Sequence, residues 1–367
     1  MTNSKCLDFE VIAETNAGTA FASSFINNGL YEVNLCNGKS RYIMLFPNEN
    51  IDGKRIHSSA VYHDSKVYFI PMSGEYISIF DVNKRIIDQI VVPQPSKQFS
   101  FYKYRMKFIK GIYYDGYIYM IPFTYPGILK LNTKTSEIIV INDWIPQEGY
   151  FFRGGACIDQ FDILVPSGIN NIILEFNLGT EQAIIHHVGT HNNGSMCVCK
   201  YMDYYIIAPR LFGSVIIWNI ERNEIFEITE YPKGFKSSKI IFSEIIPCME
   251  KLFLMPASAN TVLSINEKEK KLEIEDNWKP LDGTMTACMF ETDEYYYFRE
   301  KDTSSEQYRR YRIRKKDGFT ESYLFTIENI EEYDKDYWNY YAEQKSVMME
   351  NENFELESFL LVLRSRC

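Results

Sequence analysis

The chain has 367 residues, of which 46% are apolar and 24% are charged, so it can build a large core and is not an intrinsically disordered protein. Its formal net charge of −10 disfavours contact with a phosphate backbone, so no nucleic-acid partner is expected. Aromatic residues make up 15% of the chain. Together with the many Ile and Val residues they favour an all-β fold, because such side chains suit pleated, half-buried surfaces.

The N-terminal segment MTNSKCLDFEVIAE has no basic stretch followed by an apolar run of signal length, so no export signal is expected. No apolar run is long enough to span a membrane, so no membrane contact is expected either. The eight cysteines form no Cys-x-x-Cys pair, and we therefore predict no metal and no cofactor. A cytoplasmic protein with reduced thiols is the interpretation that fits these features.

One pattern recurs along the chain: an apolar run with aromatic residues that ends in Pro, a loop, and alternating apolar residues that end in Asn or Asp. Five clear copies lie at 67–81, 118–132, 163–177, 205–219 and 252–266. Two weaker copies, at 21–34 and 295–314, have Ser24 and Arg299 in place of the Pro. The residues that end the copies are 42 to 51 positions apart: Asn34, Asp81, Asn132, Asn177, Asn219, Asn266 and Arg314. This spacing predicts seven copies of one small structural unit.

The unit itself has the pattern of four antiparallel strands. Within 58–92, the segments SAVYHD, KVYFIPM, YISIFDV and RIIDQIVV alternate with turn residues. We expect the Pro at the end of the second strand, because Pro cannot donate to the ladder inside a sheet. We expect the Asn or Asp at the end of the third strand, where its side chain can accept a backbone N–H and start the next turn.

The units resemble the blades of the β-propeller superfamily over roughly residues 6–327. The segments ISIFD at 77–81 and VIIWN at 215–219 look like the Trp-Asp end of WD repeats, although the Gly-His signature of those repeats is missing. The double glycine of kelch repeats occurs only at 154–155. The resemblance implies an all-β, seven-bladed β-propeller, with six or eight blades as alternatives, and it carries over no catalytic residues.

We predict that the chain divides into a β-propeller at 1–327 and a helical C-terminal extension at 328–367. The extension contains no Pro or Gly and is rich in Glu, Leu and Met, which indicates one or two helices. Such a helix either packs on the disc of blades or docks a partner.

In a propeller the first strand of each blade lines the central channel, and the loops that enter these strands form one face of the disc, where ligands often bind. Aligning the units places a mainly basic set of residues there. Such a set predicts a positive pocket, centred on the channel, for an anionic group or a carboxylate-bearing peptide, with ordinary loop polarity as the alternative. The candidate ligand-binding residues are His57, Arg105, Lys110, Arg153, His191, Lys239 and Glu244.

Five cysteines fall on predicted first strands: Cys157, Cys197, Cys199, Cys248 and Cys288. We interpret them as small packing residues rather than as a ring of reactive thiolates. His186, His187 and His191 are interpreted as structural rather than as metal ligands. The one basic run, at 309–316, predicts a strand with one charged face that forms a solvated sheet edge and guards against sheet-to-sheet pairing, rather than a nucleic-acid site.

These patterns favour a non-catalytic binding or scaffold protein that recognises a peptide or protein partner through its channel face. The chain has no phosphate-binding loop, no nucleophile elbow and no metalloprotease motif. The alternative is an enzyme of the lyase, hydrolase or cyclase type that uses His57, Arg153, His191 and Glu244 at the mouth of the channel.

Overall fold

The chain folds into seven small antiparallel sheets that form a seven-bladed β-propeller with one C-terminal helix, as the repeat predicted. The structure is a computed structural model. It describes the residues 6–7, 9–15, 18–95, 106–146, 149–153, 155–190, 193–266, 269–276, 284–302 and 308–349.

We number the blades 1 to 7 in chain order, and each blade has four strands that follow one another in sequence. The first strands are Phe9–Glu14, His57–His63, Phe108–Tyr114, Cys157–Asp159, Ser195–Tyr201, Phe242–Cys248 and Thr284–Glu291. The second strands are Thr19–Ser24, Lys66–Pro71, Tyr117–Pro122, Asp162–Pro166, Tyr204–Pro209, Lys251–Pro256 and Tyr295–Asp302.

The outer half of each blade is equally regular. The third strands are Gly29–Asn34, Tyr76–Asp81, Ile128–Asn132, Ile172–Asn177, Val215–Asn219, Val262–Asn266 and Tyr308–Arg314. The fourth strands are Lys39–Leu45, Ile86–Val91, Ile138–Ile141, Ala183–His187, Glu224–Ile228, Lys271–Glu275 and Thr320–Ser322. The recurring Pro is the last residue of the second strand in blades 2 to 6, where its missing N–H breaks no inner ladder bond.

The residue that ends each third strand precedes the turn into the fourth strand, and in several blades its side chain caps that turn. In blade 2, Asp81 Oδ1 accepts the backbone N–H groups of Asn83 and Lys84, and Asn132 does the same for Lys134 and Thr135 in blade 3. The fourth residue after this anchor has a positive φ in all seven blades: Gly38, Arg85, Ser136, Glu181, Asn223, Lys270 and Gly318. The side-chain cap offsets the cost of that left-handed position where the residue is not glycine.

The core lies between the blades rather than inside any one of them. Among the described residues, seven clusters of buried side chains fill the seven junctions, and each cluster contains residues from two neighbouring blades. Between blades 1 and 2, for example, Phe21 and Phe80 meet with ring centroids 5.1 Å apart. The aromatic residues of the second strands therefore hold blade against blade, because a single sheet cannot bury both of its faces alone.

The ring is closed through blade 1. The short strand Phe325–Ile327 pairs in parallel with the outer strand of blade 1, and Cys6–Leu7 pairs with it in turn. The core cluster between blades 7 and 1 contains Tyr297 of blade 7, Phe9 of blade 1 and Phe325. Closure thus brings the first described strand and the last described strand of the chain to the same sheet.

The helix Ile330–Met349 packs on the side of blade 1. The rings of Tyr42 and Tyr333 are 5.4 Å apart, and the Tyr337 hydroxyl donates to Asp52 Oδ1 at 2.9 Å. The Tyr340 hydroxyl donates to the carbonyl of Glu49. Within the described residues, no helix combines the length and apolar character that a membrane span requires.

Candidate functional site

The loops that enter the first strands and the loops that join second to third strands lie on the same side of the ring. This side is the predicted channel face, and we call it the entry face from here on. Backbone hydrogen bonds join these two kinds of loop: Gly168 N donates to Phe151 O at 2.7 Å, and Arg210 N donates to Gly194 O at 3.0 Å. Because these hydrogen bonds join each loop to its neighbour, the backbone that carries the side chains of the entry face is already ordered before a ligand binds.

The central channel contains a cavity of about 530 Å³ that residues from all seven blades line. Besides thiols and the phenol of Tyr296, the ionisable side chains in its described wall are Lys110, Glu244 and Glu291. The structure therefore brings two of the predicted site residues, Lys110 and Glu244, to one cavity. This wall carries more acidic than basic groups, so the predicted excess of positive charge does not lie in the channel itself.

Burial shifts the protonation of the channel groups. The pKa of the Glu244 carboxyl rises to about 7, chiefly through burial, and its own neighbour Ile245 donates a backbone N–H to it at 3.1 Å. Burial also raises the pKa of Cys199 to about 12 and raises the pKa values of Cys157 and Cys288. At neutral pH these thiols are protonated, which fits packing residues rather than nucleophiles.

His57 begins the first strand of blade 2 but is not among the residues that line the channel. Its ring is buried between Phe46 and Phe69, with centroids 4.4 and 5.3 Å away, and Nδ1 lies 2.9 Å from the hydroxyl of Ser23. Burial lowers its pKa to about 3, so the imidazole stays neutral. His57 thus links blades 1 and 2 in the core.

Arg153 lies on the entry face, just before the first strand of blade 4, and its guanidinium is near that of Arg210 on blade 5. The two side chains cross the same glycine: a Cβ placed on Gly168 would lie 2.7 Å from Arg153 Cδ and 3.4 Å from Arg210 Cδ. Burial, Arg210 and Arg55 together lower the pKa of Arg153 to about 10. Neither Arg153 nor Arg210 has a carboxylate partner within the part of the chain that the structure describes.

A second cavity, of about 540 Å³, opens beside Arg210 on the same face. Arg210 and Lys239 supply its positive charges, while Leu211, Phe212 and Met285 are among its apolar lining residues. Lys239 is exposed, and its backbone N–H donates to the hydroxyl of Ser258. This predicted residue therefore belongs to the rim of the entry face rather than to the channel.

Arg105 and His191 lie outside the described residues, so two predicted site residues have no structural placement. Sequence reasoning missed Arg210. One signal was available, since it directly follows the recurring Pro, where the other clear copies have Met72, Phe123, Ser167 and Ala257.

The basic run at 309–316 lies in blade 7, largely in its third strand, and several of its members are paired with acids. Arg312 binds Glu321, Arg314 binds Asp317 and Lys315 binds Glu291. The third strand has neighbours on both sides, so the interpretation as a sheet edge is wrong. In the described ranges, no three His, Cys, Asp or Glu side chains are arranged to hold a metal ion.

No family model matches the chain, and no curated protein matches it by sequence. Solved structures do share its fold. A catalytically inactive point variant of virginiamycin B lyase from Staphylococcus aureus, with quinupristin, matches with a TM-score of 0.56 at 14% identity, over 82% of this chain and 94% of that one. BamB from Moraxella catarrhalis matches with a TM-score of 0.54 at 13% identity, over 79% of this chain and 82% of that one. At these identities the likeness shows a shared propeller fold and nothing more specific.

Proposed function

We propose that this β-propeller is a non-catalytic binding protein that recognises a peptide or protein partner through its entry face. One observation carries the proposal: Arg153 lies near Arg210, which lines a cavity of about 540 Å³, and neither arginine has an acidic partner in the described structure. Arginine in such a position is well suited to bind a carboxylate of another molecule.

Neither the channel thiols nor the nearby core residue His57 is in a state that favours catalysis. Its thiols are held in the protonated form by burial, and His57 is neutral and enclosed by aromatic rings. A nucleophile needs a lowered pKa or an adjacent base, and the described channel thiols have the opposite shift.

A second candidate is an enzyme whose active site is the channel. The observation that favours it is Glu244, because a carboxyl with a pKa of about 7 can exchange a proton at neutral pH and Lys110 lies in the same cavity. The variant Glu244→Gln distinguishes the two candidate functions. In a binding protein this change leaves partner capture on the entry face intact, whereas in a channel enzyme it abolishes turnover.

The direct test is photo-crosslinking in the cell that makes the protein. Phe212 lies on the entry face and is 61% exposed, while Phe161 lies on the opposite face in the first turn of blade 4 and is 50% exposed. A photoreactive phenylalanine at 212 should give a discrete adduct, and the same group at 161, a matched control, should not. Adducts at 161 with none at 212 would overturn entry-face binding.

A further inference from the structure

We propose that Arg153 and Arg210 form a subsite for a side-chain carboxylate, and that the partner is an acidic peptide segment whose neighbouring apolar side chain enters the adjoining cavity. This inference rests on the proposed function, since it names the chemistry of the segment that the entry face would bind.

The first support is geometric. The two arginine side chains cross Gly168, and Arg210 Nη1 donates to the carbonyl of Gly168 at 2.9 Å. That bond uses one corner of the Arg210 guanidinium, and the Nε on its other edge has no hydrogen-bond partner among the described residues. This edge has the spacing that binds a carboxylate through two parallel hydrogen bonds.

The second support is unsatisfied hydrogen-bonding capacity at one place. Arg153 Nε, Arg210 Nε and the hydroxyl of Ser167 are all buried and have no hydrogen-bond partner in the described structure. Ser167 directly precedes Gly168, so the three groups belong to the same small region. Buried polar groups are normally paired, so three unpaired groups in one region leave hydrogen-bonding capacity that an acceptor from a ligand would satisfy.

The third support is electrostatic. Arg153 sits near two other guanidinium groups, those of Arg210 and Arg55, and its burial disfavours its own charge. An anion placed between Arg153 and Arg210 would relieve the repulsion between them and satisfy both Nε groups. The free protein therefore holds two like charges close together, and an anionic ligand would stabilise this arrangement.

The fourth support is the setting of the two arginines. Arg153 N donates to Pro166 O and Ser195 N donates to Ser167 O, so the backbone around Gly168 is bound on both sides. The ring of Phe151 lies 5.4 Å from the Arg153 guanidinium carbon and covers it. A site whose backbone is already ordered loses little conformational entropy when it binds.

The adjoining cavity decides the class of ligand. Arg210 lines it, so a ligand held by this guanidinium lies at the cavity mouth. Leu211, Phe212, Ile240 and Met285 offer apolar surface there, which an inorganic anion or a nucleic-acid phosphate would not use. An acidic residue next to an apolar one fits both halves of the site.

The test uses the full-length protein and blocked peptides. Acetyl-Gly-Asp-Leu-amide is compared with its Asn analogue, with acetyl-Gly-Asp-Gly-amide and with inorganic phosphate by calorimetry, and the arginine Nε–H resonances are followed by NMR. We expect the Asp-Leu peptide to shift the Arg153 and Arg210 signals. The Asn peptide should bind at least about tenfold more weakly, because it lacks the charge, and the Asp-Gly peptide should also bind more weakly.

Variants complete the experiment. Arg153→Met and Arg210→Met should each reduce affinity for the Asp-Leu peptide by at least about tenfold, while Arg222→Met, an exposed arginine in the outer turn of blade 5, should leave it unchanged. Equal binding of the Asn peptide overturns the carboxylate subsite. Phosphate binding as tight as that of the Asp-Leu peptide overturns the peptide ligand and leaves a site for small anions only.

The two proposals fail in different ways. If Phe212 crosslinks a partner but the Asp-Leu peptide causes no shift, the carboxylate subsite is wrong and entry-face binding stands. If the peptide binds as expected but the crosslinks form only at Phe161, the subsite stands and the proposed function is wrong.

Discussion

The hydroxyl of Tyr42 lies 2.9 Å from a carboxylate oxygen of Asp336, so a hydrogen bond across 294 positions of sequence ties the outer strand of blade 1 to the C-terminal helix. Asn329, just before the helix, adds two bonds to the backbone of Tyr42: its Oδ1 accepts the Tyr42 N–H at 2.7 Å, and its Nδ2 donates to the Tyr42 carbonyl. The helix is therefore part of the folded disc rather than a free arm.

The first prediction concerns this contact. Tyr42→Phe should lower the free energy of unfolding by about 1–2 kcal/mol, because it leaves a partly buried carboxylate without its donor. Urea denaturation measures the loss. Tyr204→Phe is the control: Tyr204 is 37% exposed, its hydroxyl makes no hydrogen bond within the described residues, and the expected change is within about 0.5 kcal/mol. Equal losses of stability in the two variants would contradict a stabilising hydrogen bond between Tyr42 and Asp336.

The second prediction is that removing Arg153 stabilises the protein. At pH 7 its guanidinium is charged although burial, Arg210 and Arg55 oppose that charge and hold its pKa down at about 10. Arg153→Met keeps an apolar stem beside Phe123 and Phe151 and should raise the free energy of unfolding by about 1–3 kcal/mol. Arg222→Met should change it by less than about 0.5 kcal/mol. A lower free energy of unfolding for Arg153→Met would contradict this prediction and show that the charge of Arg153 stabilises the folded protein.

The third prediction is a pH dependence that comes from Glu244. Burial raises its pKa from 4.5 to about 7 in the folded state, so the folded protein binds this proton more tightly than the unfolded chain does. The stabilisation is fully present below pH 4.5 and is lost as the pH rises to about 7. Glu244→Gln should remove this slope and make the protein more stable at pH 8 by up to about 3 kcal/mol.

The measurement is urea denaturation at several pH values between 4.5 and 8. Lys110 opposes the shift and Glu291 reinforces it, so Glu291→Gln should weaken the slope without removing it. An unchanged slope in the Glu244→Gln protein would assign the pH dependence to other groups.

The fourth prediction concerns thiol reactivity. Cys36 is exposed in the third turn of blade 1, whereas Cys197 is fully buried and burial raises its pKa well above the usual value. Iodoacetamide at pH 7.5 should modify Cys36 rapidly and leave Cys197, Cys199 and Cys288 largely unmodified until the protein unfolds. Mass spectrometry of the digested protein follows each site. Rapid labelling of Cys199 would contradict this prediction and indicate that the channel contains a reactive thiolate.

The fifth prediction tests how closely blades 4 and 5 approach at the channel. A Cβ on Gly155 would lie 2.2 Å from Cys197 Cβ, and Val198 N donates to Gly155 O at 2.8 Å. Gly155→Ala should therefore cost about 3 kcal/mol or more, since the backbones must separate. Gly179→Ala, where the nearest atom is 3.4 Å away, should cost far less. Thermal unfolding of both proteins distinguishes a tight junction from a loose one.

Most of the fold could be predicted from local pattern. The Pro that ends second strands and the Asn or Asp that ends third strands are visible in the sequence because each acts on its immediate surroundings. Pro lacks the N–H that an inner ladder position needs, and Asn or Asp caps the turn that follows it. Counting these residues was enough to predict seven blades, and the tail without Pro or Gly was enough to predict a helix.

The candidate site was only partly visible in this way. Lys110 and Glu244 were placed in the channel because first strands line it, but His57 lies in the core. His57 pairs with Pro71, as the buried Phe108 and Phe242 pair with the Pro residues of their own blades, and a bulge follows this position in all three blades. The residue of blade 2 that corresponds to Lys110 and Glu244 is therefore Ser59, and only the register of the strands shows this.

By itself, the sequence determined the blade, its turns, the number of copies and the class of side chain that packs between them, because all of these depend on neighbours within about 50 residues. Only the tertiary structure decided that Arg153 and Arg210 share one glycine and that Lys107 turns inward to Gly74 and Glu75. It also decided that the channel wall is more acidic than basic. These outcomes depend on distances between blades, and such distances are set when the ring closes and its seven junctions pack.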